Sequence, residues 1–255
     1  MTSPFEVAFD LTGKTAIVTG GAAGIGLAIA RLFADRGANL VLVDVSSAVT
    51  GVAAGLPGGA ARHLAMTGDV SDSKVVDGVV AAAVKRFGTV DILVNNAGIV
   101  ALDKAELLSE SDWDRTMAVN LKAPFLFARA VGAVMIARKS GRIVNVASQA
   151  SVVALDRHVA YCASKAAVVG MTQVLAAEWA QHGITVNAVS PTVVETELGK
   201  RAWAGEVGVA MKKKIPVGRF AQPEEIAAAI LYLVSGVAGM INGENLIIDG
   251  GYTIQ

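Results

Sequence analysis

The sequence predicts an α/β fold: a doubly wound parallel sheet in a single domain, with helices on both faces. Three observations point there. Short apolar runs rich in Val, Ile and Leu alternate with longer amphipathic segments along the whole chain. The first two runs are joined by a glycine-rich turn and a helix, and the second ends on an acid, Asp44. No linker or internal repeat divides the 255 residues, so 1–255 reads as one domain. A core of that size needs no disulfide or metal to hold it.

Composition narrows the function. With 22 basic and 22 acidic residues the net charge is zero, which favours neither nucleic acid nor an anionic membrane as partner. The only cysteine, Cys162, excludes an intrachain disulfide and a cysteine-rich metal cluster, and it suits a reducing cytoplasm. No metal is expected. Although it adjoins Tyr161, Cys162 reads as a small helical hydrophobe. The chain is 53% apolar with a mean hydropathy of +0.53, but no run of about 18 apolar residues lacks charge, so no membrane span is expected. The N-terminus MTSPFEVAFDLTGK has two acids and no basic region before an apolar one, unlike a signal peptide. Few charges and abundant Ala predict large buried helix faces, as at oligomer interfaces.

Taken in order, Lys14–Thr19 is a buried strand. Gly20-Gly21-Ala22-Ala23-Gly24-Ile25-Gly26 follows, then a helix closed by Gly37. Asn39–Val43 is the second strand. Glycines there allow a tight turn and let backbone N–H groups approach a pyrophosphate at the helix N-terminus. Residues 46–61 form a weak helix and loop with a turn at Pro57-Gly58-Gly59. His63–Met66 is a short strand. Ser71 or Asp72 can cap the next helix, which runs to Phe87.

Val90–Val94 is a fourth strand. After it, in Asn95-Asn96-Ala97-Gly98, an amide beside a glycine turn can cross-link strand backbone. Glu110–Ala137 is helical, with Trp113, Met117, Leu121, Phe125 and Leu126 at helical spacings and Ser109 or Ser111 as cap. Asn120 sits inside it, an unfavourable place for Asn. Gly141–Ala147 is a fifth strand ending at Ser148. Tyr161–Ala180 is one helix, ended by Gly183, and Ile184–Val189 is a sixth strand. Residues 198–222 are the least regular stretch, and Lys212 to Lys214 read as a solvated face. Pro223 opens a helix to Ser235. Asn242–Asp249 gives a turn and the last strand.

The chemistry centres on Ser148, Tyr161 and Lys165. A four-residue spacing puts Tyr161 and Lys165 on one helix face. An ammonium beside a phenol favours the phenolate and is expected to lower the tyrosine pKa. Such a tyrosine can exchange a proton with an alcohol or carbonyl near neutral pH. Asp44, Asn96 and Ser148 all follow strands, so one sheet edge collects them, the edge where doubly wound sheets bind ligands.

These residues carry a resemblance. Thr19, Gly20, Gly24 and Gly26 are spaced as TGxxxGxG rather than GxGxxG, and with NNAG at 95–98, Asn120 and the Ser148-Tyr161-Lys165 trio they resemble the short-chain dehydrogenase/reductase family over about residues 10–253. The resemblance implies a Rossmann-type domain with a seven-stranded parallel sheet. It also implies homotetramers that bury the helices around 111–137 and 161–181. For catalysis it implies Asn120, Ser148, Tyr161 and Lys165, with a water held on the Asn120 backbone carbonyl of a kinked helix. For a nicotinamide cofactor it implies Gly20, Gly24, Ile25, Gly26, Asp69, Val70, Asn96, Ala97, Gly98, Tyr161, Lys165, Pro191, Val194 and Thr196. It places a substrate lid at about 197–222.

Asp44, 18 residues after Gly26, can accept both ribose hydroxyls and repel a 2′-phosphate; no Arg or Lys stands in the loop or directly after it, which favours NAD over NADP. One departure stands out: Thr192 replaces the family's glycine in PGxxxT, and its Cβ would strain a positive φ. The segments after the sixth strand are similar to sugar-alcohol (polyol) dehydrogenases of the D-threitol dehydrogenase type, which implies oxidation of a small polyol to a ketose. Beside Ser148, the side chains Gln149, Ser151, His158, Glu195 and Trp203 could meet its other hydroxyls. Two alternatives stay open. A 3-oxoacyl thioester reductase would favour NADPH and basic residues after the glycine loop. A non-catalytic NAD-binding sensor would have no need of the intact trio and Asn120.

Overall fold

The computed structural model describes residues 9–255, apart from the side chains of Leu198, Arg201 and Ala202; most of the N-terminal segment read above as lacking a leader signature lies outside it. The chain runs β1 (Thr15–Thr19), α1 (Gly24–Asp35), β2 (Asn39–Asp44), α2 (Ala48–Gly55), a single turn α3 (Gly59–Arg62) and β3 (His63–Thr67). Next come α4 (Ser73–Phe87), β4 (Ile92–Asn95), α5 (Glu110–Met117), a π turn (Ala118–Lys122) and α6 (Ala123–Arg138). Then follow β5 (Gly141–Val146), a 3₁₀ turn (Gln149–Ser151), α7 (Val159–Trp179) and β6 (Ile184–Pro191). The chain closes with α8 (Glu197–Ala202), α9 (Glu206–Lys213), α10 (Pro223–Val234) and β7 (Asn245–Ile248).

Seven strands form one parallel sheet in the order β3-β2-β1-β4-β5-β6-β7. This is the Rossmann-type sheet, and its strand order reverses between β1 and β4. Alternation along each strand feeds two cores. Val18, Leu40, Leu42 and Val144 pack under α1, α2 and α10. Ile17, Val41, Leu93 and Ile143 pack under α4, α6 and α7. Burial on both faces is why the strands read as unbroken apolar runs.

The helix boundaries follow from local chemistry. Asp72, not Ser71, caps α4 by accepting from the Lys74 N–H, and Gly88 stops it at φ 78°. Ser109 caps α5. Gln222 and Glu225 form a capping box on α10, with Pro223 in its first turn. The segment expected to be least regular forms the short helices α8 and α9, the first capped by Thr196. The Glu110–Arg138 and Val159–His182 helices are long and apolar enough to cross a membrane, but both pack against the sheet.

At the sheet's N-terminal edge, away from the strand ends that carry Asp44 and Ser148, the buried Asp91 accepts from the Thr15 N–H at 2.9 Å. Arg138 stands 3.5 Å from its other oxygen. Asp91→Ala strands a buried donor, so we expect it to cost about 1.5–3 kcal/mol of stability in urea titration while kcat stays within about twofold of wild type.

Candidate active site

The glycine loop is closed by side chains from two strand ends. Thr19 Oγ1 accepts from the N–H groups of Asn96 and Ala97, both at 3.0 Å. Asn96 Nδ2 donates to Thr19 O at 2.9 Å and Gly20 O at 3.1 Å, cross-linking β1 to β4. A Cβ on Gly26 would lie 2.0 Å from Gly20 O, and one on Gly20 would lie 2.8 Å from Asn96 Nδ2; Gly20 also has φ +68°. The Asp44 carboxylate ties the same loop to the turn after β2, accepting from the N–H of Ala22 in the loop and from that of Ser46 in the turn, both at 2.9 Å. Gly24 opens α1, and the Thr196 methyl lies 3.0 Å from where a Gly24 Cβ would sit. The loop after β6 therefore stands beside the helix N-terminus, whose backbone N–H groups suit an anion such as a pyrophosphate.

Other cofactor candidates fall around this edge. Asp69 is held at about 2 by the Ser71 N–H and hydroxyl and by Arg115 at 2.8 Å, while burial works against them. Val70 is buried in the core with Val76 and Val79 of α4. Pro191 ends β6. Val194 joins Ala221 in an isolated bridge. Thr192 takes no positive φ, so the strain its Cβ would bring to such a turn does not arise, and its N–H donates to Ile248 O at 3.0 Å, as a strand residue would.

Ser148 stands after β5 and accepts from the Ala150 N–H at 3.2 Å, so its own proton is free to donate. Lys165 is buried and donates to Val146 O at 2.7 Å, and its amine lies 5.7 Å from the Tyr161 ring centroid. Asn120, in the π turn, grips Ile99 at two points: Oδ1 accepts from the Ile99 N–H at 2.8 Å and Nδ2 donates to Ile99 O at 2.9 Å. A Cβ added to Gly98 would lie 3.5 Å from both Asn120 Oδ1 and Lys165 Nζ, in ordinary contact, so Gly98 stands at the corner where these two side chains meet.

The expected lowering of the tyrosine pKa by Lys165 needs correction. Burial pushes the Tyr161 phenol up from its ordinary value, the Ser148 hydroxyl acts in the opposite direction as a hydrogen-bond partner, and Cys162 adds to the rise. The Lys165 amine instead donates to Val146 O. Burial also pulls Lys165 down to about 8.

The substrate candidates divide. His158 stands edge-on to Tyr161 with ring centroids 6.0 Å apart. The Ser151 hydroxyl pairs with Ser190 at 3.3 Å. Gln149 is buried, with Oε1 lacking a hydrogen-bond partner. Trp203 packs edge-on to Phe220 in a separate cluster with Met211 and Ile215. Glu195 pairs with Lys212 at 3.4 Å, and that amine also lies 4.7 Å over the Phe220 ring. Sequence reasoning passed over Ser164, Asn145 and Thr172, all fully buried and hydrogen-bonded beneath the site. Their only signal was a polar residue on an otherwise apolar strand or helix face.

A nucleotide cradle and a Ser-Tyr-Lys-Asn cluster on one parallel sheet edge define a dinucleotide-dependent oxidoreductase. A family model described as enoyl-(acyl carrier protein) reductase matches residues 20–253. The chain is 57% identical over 251 residues to an NAD-dependent glycerol dehydrogenase of Listeria innocua, covering 98% of both chains. It is 53% identical over 248 residues to a D-threitol dehydrogenase of Mycolicibacterium smegmatis, covering 97% of this chain and 95% of that one. Among solved structures, a candidate NAD(P)-dependent gluconate 5-dehydrogenase from Beutenbergia cavernae, with NADP bound at low occupancy, superposes with a TM-score of 0.92 at 38% identity, covering 97% of this chain and all of that one. The chain belongs to the short-chain dehydrogenase/reductase family and is an oxidoreductase.

Lys165 supplies a test of the geometry. Its folded pKa of about 8 lies below the 10.5 of the free side chain, so the buried charge costs stability below about pH 8, and the cost fades as pH rises toward 10.5. Lys165→Met should therefore unfold at higher urea than wild type at pH 7, and the gap should close between about pH 8 and 10.5.

Proposed function

We propose that the protein oxidises a secondary alcohol of a short polyol, such as D-threitol, to the ketose with NAD⁺, and runs the reverse reduction with NADH. The observation that carries this reading is the meeting of Ser148, Tyr161, Lys165 and Asn120 beside the glycine cradle. When bound, the nicotinamide supplies the hydride acceptor or donor. Tyr161 takes the hydroxyl proton in oxidation and returns it in reduction. The free Ser148 proton stabilises charge on the reacting oxygen. Lys165, protonated at neutral pH, opposes the cost of a buried phenolate. The side chain of Asn120 is fully engaged, so its part in proton relay falls to its backbone carbonyl, at a π turn where the helical ladder is offset.

Asp44 supports NAD over NADP: a carboxylate beside Ala22 of the loop disfavours a 2′-phosphate. The polyol reading draws on the glycerol and D-threitol dehydrogenases to which the chain is most alike among the relatives named above. Ser151, His158 and the lid of 197–222 complete the substrate wall. A homotetramer in the cytoplasm fits the remaining features. An apolar groove of about 550 Å³, lined by Met117, Leu121, Phe125 and Met171, lies on the paired helices expected at a subunit interface.

A screen of C3 to C6 polyols with NAD⁺ and NADP⁺, read by absorbance of the reduced nicotinamide, should show NAD⁺-linked turnover of at least one C3 or C4 polyol. Tyr161→Phe should lower kcat by about 10²–10⁴-fold. Reduction of acetoacetyl thioesters without turnover of any polyol would contradict the reading.

A further inference from the structure

Ser164 stands between two members of the cluster. It is fully buried, on the first turns of α7 and immediately before Lys165. Its hydroxyl donates to the Tyr161 carbonyl at 2.8 Å and accepts from Asn120 Nδ2 at 3.1 Å. A hydroxyl has one proton, and here that proton goes to the tyrosine main chain, so the link to Asn120 uses a lone pair. Both Asn120 N–H bonds are then used, one on Ile99 and one on Ser164. We propose that Ser164 is a positioning residue that locks the Tyr161 main chain to Asn120, and through Asn120 to Ile99 beside the NNAG turn.

Helix preference does not account for it. A serine bonding back to the preceding turn is neutral or unfavourable inside a helix. What the hydroxyl adds is a joint between the π turn and α7 at the one place where the tyrosine must be fixed. Removing it leaves a buried Asn120 N–H without a partner and lets the first turn of α7 relax. The phenol then loses alignment with Ser148, the group that works against its raised pKa. Oxidation needs the deprotonated phenol, so the acid limb of the pH profile moves to higher pH.

This inference rests on Tyr161 being the proton-transfer group. The test compares kcat and kcat/KM against pH for wild type, Ser164→Ala, Ser164→Cys, Asn120→Ala and the Ser164→Ala/Asn120→Ala pair, with NAD⁺ and the polyol turned over fastest by wild type. Ser164→Ala should lower kcat about 10- to 100-fold and raise the acid limb, with KM for NAD⁺ unchanged. Ser164→Cys, which keeps a weak donor, should recover part of the loss. The double variant should be no slower than Asn120→Ala alone, as for two residues acting through one link. A Ser164→Ala enzyme that only melts earlier, with kcat and pH profile intact, overturns the proposal, as do losses that multiply in the double variant. A Tyr161→Phe control separates the two readings. An active control refutes the proton-transfer role itself, whereas an inactive one with an unmoved Ser164→Ala profile refutes this inference alone.

Discussion

The bond between the Lys165 amine and the Val146 carbonyl sets the geometry of this protein's site. The amine is buried, and its partner is a backbone oxygen at the end of β5. An amine in that position must keep its acceptor or lose a large solvation energy. α7 is therefore pinned to β5 two residues before Ser148. Further down, Asn145 Nδ2 donates to Thr172 Oγ1 at 2.9 Å, and Asn95 Nδ2 donates to Asn145 Oδ1 at 2.8 Å. These ties run from β4 through β5 to α7. Each is buried, and each is expensive to leave unmade. The edge that carries the candidate active site thus rests on a polar core inside an otherwise apolar sheet.

The same logic governs the cofactor end. Asp44 was read as a ribose acceptor, yet both of its oxygens already take a backbone N–H. A carboxylate has spare lone pairs, so bracing the loop and receiving a ribose are compatible. Asn96 does comparable work from β4, holding Thr19 and Gly20 in place. The glycines then supply clearance, and the side chains around them supply rigidity.

Much of this was legible in the sequence because the relevant signals are periodic. Strands buried on both faces give continuous apolar runs, and Tyr161 and Lys165 announce a shared helix face by their spacing. The π turn at 118–122 was less legible, since one extra backbone residue barely disturbs a helical side-chain pattern; Asn120 in an unfavourable place, and the kink that the family resemblance implies there, hinted at it. Helices α8 and α9 were hidden because Gly199, Gly205 and Gly208 weaken the helical signal. The sign of the tyrosine shift was missed for a geometric reason. Spacing says that two side chains are neighbours, but not that the Lys165 amine turns toward Val146 while burial dominates the phenol.

In the proposed reaction, hydride transfer from a polyol carbon links the cradle to the cluster. Oxidation of D-threitol deuterated at its carbinol carbons, with NAD⁺ and mass analysis of the reduced cofactor, examines that step directly. If Tyr161 and the cradle act together as proposed, the reduced nicotinamide carries the deuterium. Reduced cofactor without label, or none formed, would contradict it.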